Sequence, residues 1–287
     1  MQKVVGSSPI IRLRNLFRAR TPETGILVLG HRRPALLANT LESLRRQKAL
    51  GVTHVWLDGH YGDPELIGLV LACRKAAERL PVAEVVALNG RAGTAKLMFD
   101  ALSSLSERYK RLIVLEDDCF PTSSAVAEFA AALDEIATRD DVYSVYGHHF
   151  GIPAEGATFS RFQGWGWATT SAKLLPILEV LEACFWMPEH EYLGWVRKTV
   201  TPEVRSRLEV TPGRQPLATA ELFYSWDECT AIVTAARGLL HKKTAKQVVF
   251  NCGIGQGSGH FQADEPRFRS PPFGMIGPDE VWDVYAR

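Results

Sequence analysis

Glu116-Asp117-Asp118 closes the apolar run Leu112-Ile-Val-Leu115 and is followed at once by Cys119-Phe-Pro121. An apolar run of this length ended by a polar cluster is the pattern of a buried strand in a parallel sheet. In open α/β sheets, ligands bind outside the carboxyl ends of the strands. Three adjacent acids repel one another. A divalent cation relieves that repulsion, and an all-oxygen ligand set suits Mg²⁺ or Mn²⁺. In the other reading, one acid caps a helix beginning near Ser123 and the rest are solvated. The triplet alone leaves both open.

Other chemistry-bearing residues fall at comparable places. His31-Arg32-Arg33, Asp58 and Asn89-Gly-Arg91 each follow an apolar run, so the same sheet edge would gather them with the acids. Arginines offset phosphate charge, and Asp58 can accept from a uracil or ribose donor; polar loop residues with no such role would look the same. Further along, Trp226-Asp227-Glu228 follows Ser225 within a helical stretch. An indole offers a sugar ring a flat apolar face and a carboxylate can act as general base, although a core tryptophan beside a solvated acid fits equally well. In Gly164-Trp165-Gly166-Trp167, an extended backbone puts both indoles on one side, and the glycines allow a ligand or another backbone to approach closely, although core packing alone could also use the indoles. The run Gly253-Ile-Gly-Gln-Gly-Ser-Gly259 ends at His260. It lacks the Lys-Ser/Thr of a phosphate-binding P-loop and reads as a closing loop, with His260 a metal ligand, a phosphate contact or simply solvated.

The elements that must position these groups come from the rhythm of apolar residues. Strands are expected at 26–30, 54–57, 83–88 and 112–115, with helices from Pro34, over 64–80 and over 94–108 between them. This alternation predicts an α/β protein with a mostly parallel, doubly wound sheet. The second half is less regular: a helix over 171–182, a polar loop around 211–216, a helix over 219–238, a strand over 245–251, then a Gly/Pro-rich tail. We therefore divide the chain into an N-terminal arm (1–24), a nucleotide-binding half (25–122) and an acceptor-binding half with the closing loop (123–287), the two halves sharing one core.

Bulk properties narrow the class. The 287 residues suffice for a sizeable core. A formal net charge of +1 lacks the basic footprint of nonspecific nucleic-acid binding. The five cysteines form no CxxC pair, consistent with reduced, buried thiols. No apolar run reaches a membrane span and no signal-peptide core follows Met1, so the expected location is the cytoplasm.

The order of these pieces over residues 25–262 resembles the GT-A glycosyltransferases, and more closely the inverting N-acetylglucosaminyltransferase I-like family and its bacterial relatives. The resemblance implies a Rossmann-like nucleotide-binding half and an acceptor-binding half. It implies that His31, Arg32, Arg33, Asp58, Arg91, Lys96, Glu116 and Asp117 bind the nucleotide. Asp118 would be the direct ligand of Mn²⁺ or Mg²⁺, with His260 a late ligand, and Asp227 the catalytic base. The run Gly164–Ala168 is similar to an acceptor-side element of bacterial sugar transferases, which implies sugar or acceptor contacts for Trp165, Gly166 and Trp167; Trp226 and Glu228, flanking the base, are expected to join them. The donor would be a nucleotide-sugar, UDP-linked by the family's habit, delivering a hexosyl or N-acetylhexosaminyl group to a glycan, lipid-linked or protein acceptor, as in polysaccharide biosynthesis. Two rivals stand beside this reading. A sugar-1-phosphate nucleotidyltransferase shares the sheet and the acids but carries a longer glycine-rich basic loop than Gly30-His-Arg-Arg-Pro34. A non-catalytic carbohydrate-binding protein would keep the tryptophans without turnover.

Overall fold

The computed structural model describes residues 23–60, 62–90, 92–150, 158–208, 225–256, 261 and 263–287. The first half follows the expected alternation: β1 (Thr24–Gly30), α1 (Pro34–Arg46), β2 (Thr53–Leu57), α2 (Pro64–Glu78), β3 (Glu84–Ala87), α3 (Thr94–Ser106) and β4 (Arg111–Glu116). Local chemistry sets the helix ends. Pro34 and Pro64 each open a helix, where their fixed φ is already helical. The Asp63 carboxylate accepts the Glu65 N–H at 2.9 Å and so caps α2. Arg45 and Arg46 lie in the last turn of α1, where the helix dipole favours cations.

The second half contains β5 (Cys119–Pro121), α4 (Ala125–Ile136), β6 (Val142–Tyr146), β7 (Thr158–Phe159), β8 (Trp167–Thr170), α5 (Ser171–Trp186), α6 (Glu189–Thr199) and α7 (Pro202–Leu208). After these come α8 (Trp226–Ala236), β9 (Leu240–Lys243), β10 (Val249–Asn251), α9 (Pro266–Arg269) and α10 (Val281–Val284). β5, β6, β7, β8 and β9 have no counterpart among the strands expected from the sequence. The strand expected over 245–251 is extended only at Val249–Asn251.

Among the described residues, eight strands form one sheet in the order β3-β2-β1-β4-β8-β6-β9-β7. β3, β2, β1 and β4 pair in parallel; β8 runs antiparallel between β4 and β6; β9 is parallel to β6, and β7 antiparallel to β9. The sheet is thus mostly parallel, with two reversed strands, and draws strands from both halves of the chain. β5 and β10 form a separate antiparallel ribbon, Cys119 opposite Asn251, just beyond the end of β4.

Alternation along the strands divides the core. Leu27, Leu29, Leu112 and Val114 face the layer that holds α3, α5 and α8. Ile26, Val28, Ile113 and Leu115 face the layer of α1, α2 and α4. Covered on both faces, β1 and β4 carry the near-continuous apolar runs Ile26–Leu29 and Leu112–Leu115, as buried parallel strands do. Among the described residues, no helix is long and apolar enough to cross a membrane.

Candidate active site

A cavity of about 900 Å³ opens at the carboxyl ends of β1, β2 and β4. His31, Arg32, Arg33, Asp58, Lys96, Glu116, Asp117, Asp118, Trp165, Trp226 and Asp227 all line it. Arg91 and His260 lie outside the described residues, as do most of the N-terminal arm and the loop at 211–216.

The floor is the acid triplet. Glu116 is the last residue of β4, and Asp117 and Asp118 make the turn into β5. Arg33, just before α1, binds both aspartates. Its Nε and Nη2 donate to the two oxygens of Asp117, a bidentate pair, and its Nη1 donates to Asp118 Oδ2 at 2.8 Å. Thr40 Oγ1 donates to the Asp117 carbonyl at 3.0 Å, tying the turn to α1. The Asp118 carbonyl accepts the Cys252 N–H at 2.8 Å, which ties the same turn to β10. Gly253 follows, its N–H donating to Asn251 Oδ1 at 2.9 Å. A Cβ at Gly253 would stand 2.6 Å from Asp118 Oδ2 and 3.2 Å from Arg33 Nη1, so the main chain approaches the acids in a way only glycine permits.

The electrostatics follow from that crowding. Burial, then the charge of Asp118, pushes the Glu116 carboxyl up to about 8; Arg33 opposes the rise and Asp227 adds to it. Burial likewise raises Asp117, against the guanidinium of Arg33. Burial also works against the charge on Arg33, but the two aspartates outweigh it and hold Arg33 protonated.

The second wall is the start of α8. Ser225 caps the helix, its Oγ accepting the Glu228 N–H at 3.3 Å and donating to Asp227 Oδ1 at 2.6 Å. Asp227 therefore sits in the first turn, where the helix dipole favours a carboxylate. Ser225-x-x-Glu228 has the spacing of a capping box. Glu228, however, pairs with Arg161, whose other arm donates to the Leu208 carbonyl at 3.3 Å. Trp226 stacks on Trp167 at 6.2 Å between ring centroids, which anchors the turn in the core.

Three of the expected sugar or acceptor contacts do not face the cavity. Trp167 is 1% exposed and packs among Tyr143, Phe162 and Trp226. Trp165 instead reaches the cavity and packs against His148, Phe150 and Phe261. The two indoles join different layers because Gly166 has φ +67°, which breaks the extended geometry that would have aligned them. Gly166 itself lies against Val249, where a Cβ would meet Val249 Cγ2 at 2.7 Å. Glu228 is committed to Arg161, because a buried carboxylate needs a charged partner.

Asp58 lines the cavity but serves the backbone. It accepts the N–H groups of Gly59, Ala92 and Gly93 at 2.9, 2.7 and 3.1 Å, securing the entry to α3. His31 Nε2 bonds the Gly59 carbonyl at 3.1 Å and joins the ends of β1 and β2.

One wall escaped the sequence reading. Phe185, Trp186, Met187 and Pro188 line the cavity beside the residues from Ala92 to Leu97, with Phe99 packed on Phe185 and Trp186. Trp186 is 48% exposed, with the Lys96 ammonium 5.4 Å from its ring centroid. The signal was an aromatic pair closing an apolar helix before Pro188; the sequence reading ended that helix at 182.

The described residues contain no group of three His, Cys, Asp or Glu side chains placed as a metal cage. Mg²⁺-type ions are commonly held by one or two carboxylates together with substrate phosphates. Asp118, which lines the cavity, provides oxygen donors of that kind. The donor set therefore fits a cation shared with a diphosphate, not one caged by protein alone.

Fold and cavity together define an α/β protein whose pocket, lined by acids and arginines, lies where open parallel sheets bind ligands. No family model and no curated protein sequence matches the chain. Solved structures similar to it include the 1–349 fragment of S. aureus TarS, at 12% identity over 79% of this chain, TM-score 0.42. Another is mannose-1-phosphate geranyltransferase from Thermus thermophilus, at 15% identity over 85% of this chain and 80% of the other, TM-score 0.43. A third is the mannosyltransferase PcManGT from Pyrobaculum calidifontis, solved with GDP-Man and Mn²⁺, at 15% identity over 77% of this chain and 70% of the other, TM-score 0.39. The chain spans 59% of the TarS fragment. Likenesses this slight assign neither activity nor substrate.

Proposed function

We propose that this chain is a metal-dependent inverting glycosyltransferase of the GT-A kind, moving a sugar from a nucleotide-sugar, UDP-linked, to an acceptor hydroxyl. The observation that carries the reading is that Asp118 and Asp227, 109 positions apart, line one cavity, and that Asp227 contributes to the upward shift of Glu116. Two carboxylate sites in one pocket match the division of labour that such transfer needs: one to bind the diphosphate end, one to take a proton.

In this reading Arg32, Arg33 and Lys96 offset the charge of the diphosphate. Asp118 holds the Mn²⁺ or Mg²⁺, which when bound stabilises charge on the leaving diphosphate. Asp227 accepts the proton of the acceptor hydroxyl as that oxygen attacks the anomeric carbon from the opposite face. Ser225 fixes one oxygen of Asp227 by its hydrogen bond and so orients the other. Positioned general bases contribute typically about 10²–10⁴ in rate. Trp186 and Trp165 offer apolar surface to a sugar ring. The acceptor is a glycan, a lipid-linked sugar or a protein.

Two measurements test the proposal. UDP at 100 times its dissociation constant adds about 2.7 kcal/mol of stability, so thermal unfolding should shift with UDP and Mn²⁺ together and lose most of that shift with a chelator. Asp227→Asn should keep the shift and lose sugar transfer; wild-type turnover in that variant removes Asp227 as the base. Release of pyrophosphate from a nucleoside triphosphate and a sugar phosphate would point instead to nucleotidyl transfer.

A further inference from the structure

Arg33 already holds the carboxylates that the proposed cation needs. Three of its nitrogens reach three aspartate oxygens, both of Asp117 and Oδ2 of Asp118. Asp117 and Asp118 are 2% and 9% exposed, so water does little to solvate either carboxylate in place of Arg33. The remaining surroundings of Asp118 are close. The Gly253 main chain crowds Oδ2, and Cys119 Sγ stands 3.7 Å from Oδ1. A divalent ion on Oδ2 would meet a guanidinium nitrogen on the same atom, and two cations at such a separation repel strongly in a partly buried site.

We infer that Arg33 is a resident counter-cation which occupies Asp118 until a nucleoside diphosphate gives its guanidinium another anionic partner, so that diphosphate and metal binding are coupled through Arg33. The inference rests on the function proposed above. Only the Nη1 contact has to break, because Nε and Nη2 remain satisfied by Asp117. The diphosphate draws Nη1 away and Asp118 then accepts the ion; by linkage the ion tightens diphosphate binding by the same factor. Each ligand alone therefore binds weakly: the metal because it competes with Arg33, the diphosphate because it takes Nη1 from Asp118 and leaves that carboxylate without its counter-charge.

The test is direct Mn²⁺ binding to the full chain, read from the electron-spin signal of free Mn²⁺ with and without UDP and corrected for the UDP–Mn²⁺ complex in solution. In the wild type, UDP should tighten Mn²⁺ binding by roughly 5–150-fold, the usual span of coupling between two sites. In Arg33→Met, Mn²⁺ alone should bind tighter than to the wild type, and the UDP effect should largely vanish. Arg33→Lys keeps the charge but not the bidentate fork; it should tighten Mn²⁺ binding by a smaller factor, and it serves if the Met variant does not fold. Coupling in the wild type combined with unchanged or weaker Mn²⁺ binding in both variants overturns the role of Arg33 and leaves the proposed function standing. A wild-type protein that binds neither UDP nor Mn²⁺ in any combination overturns both.

Discussion

Gly253→Ala tests whether the close approach of β10 to the acid turn sets the geometry of Asp118. The new methyl would sit 2.6 Å from Asp118 Oδ2 and 3.2 Å from Asp118 Cβ, where ordinary contacts begin at 3.4 Å. The φ of Gly253 lies outside the left-handed range, so alanine adds no backbone strain and the cost is steric. The carboxylate cannot simply swing away. Asp118 is buried, held on one side by Arg33, and its own Cβ is also too close. Relief requires Oδ2 to retreat by roughly 0.8 Å or the main chain to shift, and overpacking of this kind costs about 1–3 kcal/mol. The melting temperature should fall by roughly 2–4 °C for each kcal/mol. A metal ligand displaced that far loses bond length and angle together, and disturbing the support of a ligand typically costs about 10–100-fold in metal affinity. Calorimetric titration of Mn²⁺ into UDP-saturated protein reads the second effect and thermal unfolding the first. Wild-type Mn²⁺ affinity in a folded Gly253→Ala protein would refute the reasoning, because the methyl would then have found room without moving Asp118.

Other substitutions separate the parts of the site. In Gly164→Ala the new Cβ stands 3.1 Å from the Trp226 ring and 3.3 Å from Asp227 Cβ; sugar transfer should fall several-fold, within the ~10²-fold or greater loss expected of removing a base, while the UDP–Mn²⁺ thermal shift stays. Arg161→Met leaves the half-buried Glu228 without this ion pair and should cost up to about 3 kcal/mol in urea unfolding; pairing it with Glu228→Leu should recover much of that loss. His241 is fully buried and held by Ser144 Oγ at 2.8 Å, and burial pushes its pKa down to about 3 from a usual 6.5. Between those values the unfolded chain binds the extra proton and the native one does not, so the contribution of His241 to stability is complete above pH 6.5 and is lost as pH falls toward 3. His241→Phe should flatten the acid side of a stability–pH curve measured by urea unfolding, and an unchanged slope would contradict the assignment.

Much of the site was legible because parallel strands announce themselves. Leu112–Leu115 is apolar on both faces, so its end could be located to within one residue (β4 runs on to Glu116), and the acids lie at the sheet edge. The same logic brought Arg33 and Asp58 to that edge. The apolar spacing of α1 to α3 likewise placed the layers. The second half was harder to read because its strands are short and of mixed direction. Trp167–Thr170 has four residues, too few to show a period, and it pairs antiparallel with β4 from the opposite end of the expected motif.

What the sequence by itself determined is the set of charged groups at the ends of β1, β2 and β4, since strand order and polarity place them whatever the side chains then do. Tertiary structure decided their partners. The φ of Gly166 sent Trp165 to the cavity and Trp167 to the core, and Arg161, 67 positions away, took Glu228 out of the site. Backbone N–H groups of Gly59, Ala92 and Gly93 claimed Asp58, and Phe185 to Pro188, at and just past the end of α5, joined the cavity lining. The physical reason is that burial and hydrogen-bond geometry are properties of contacts between distant segments, and a charge or an indole carries no mark in the chain of which neighbour will meet it.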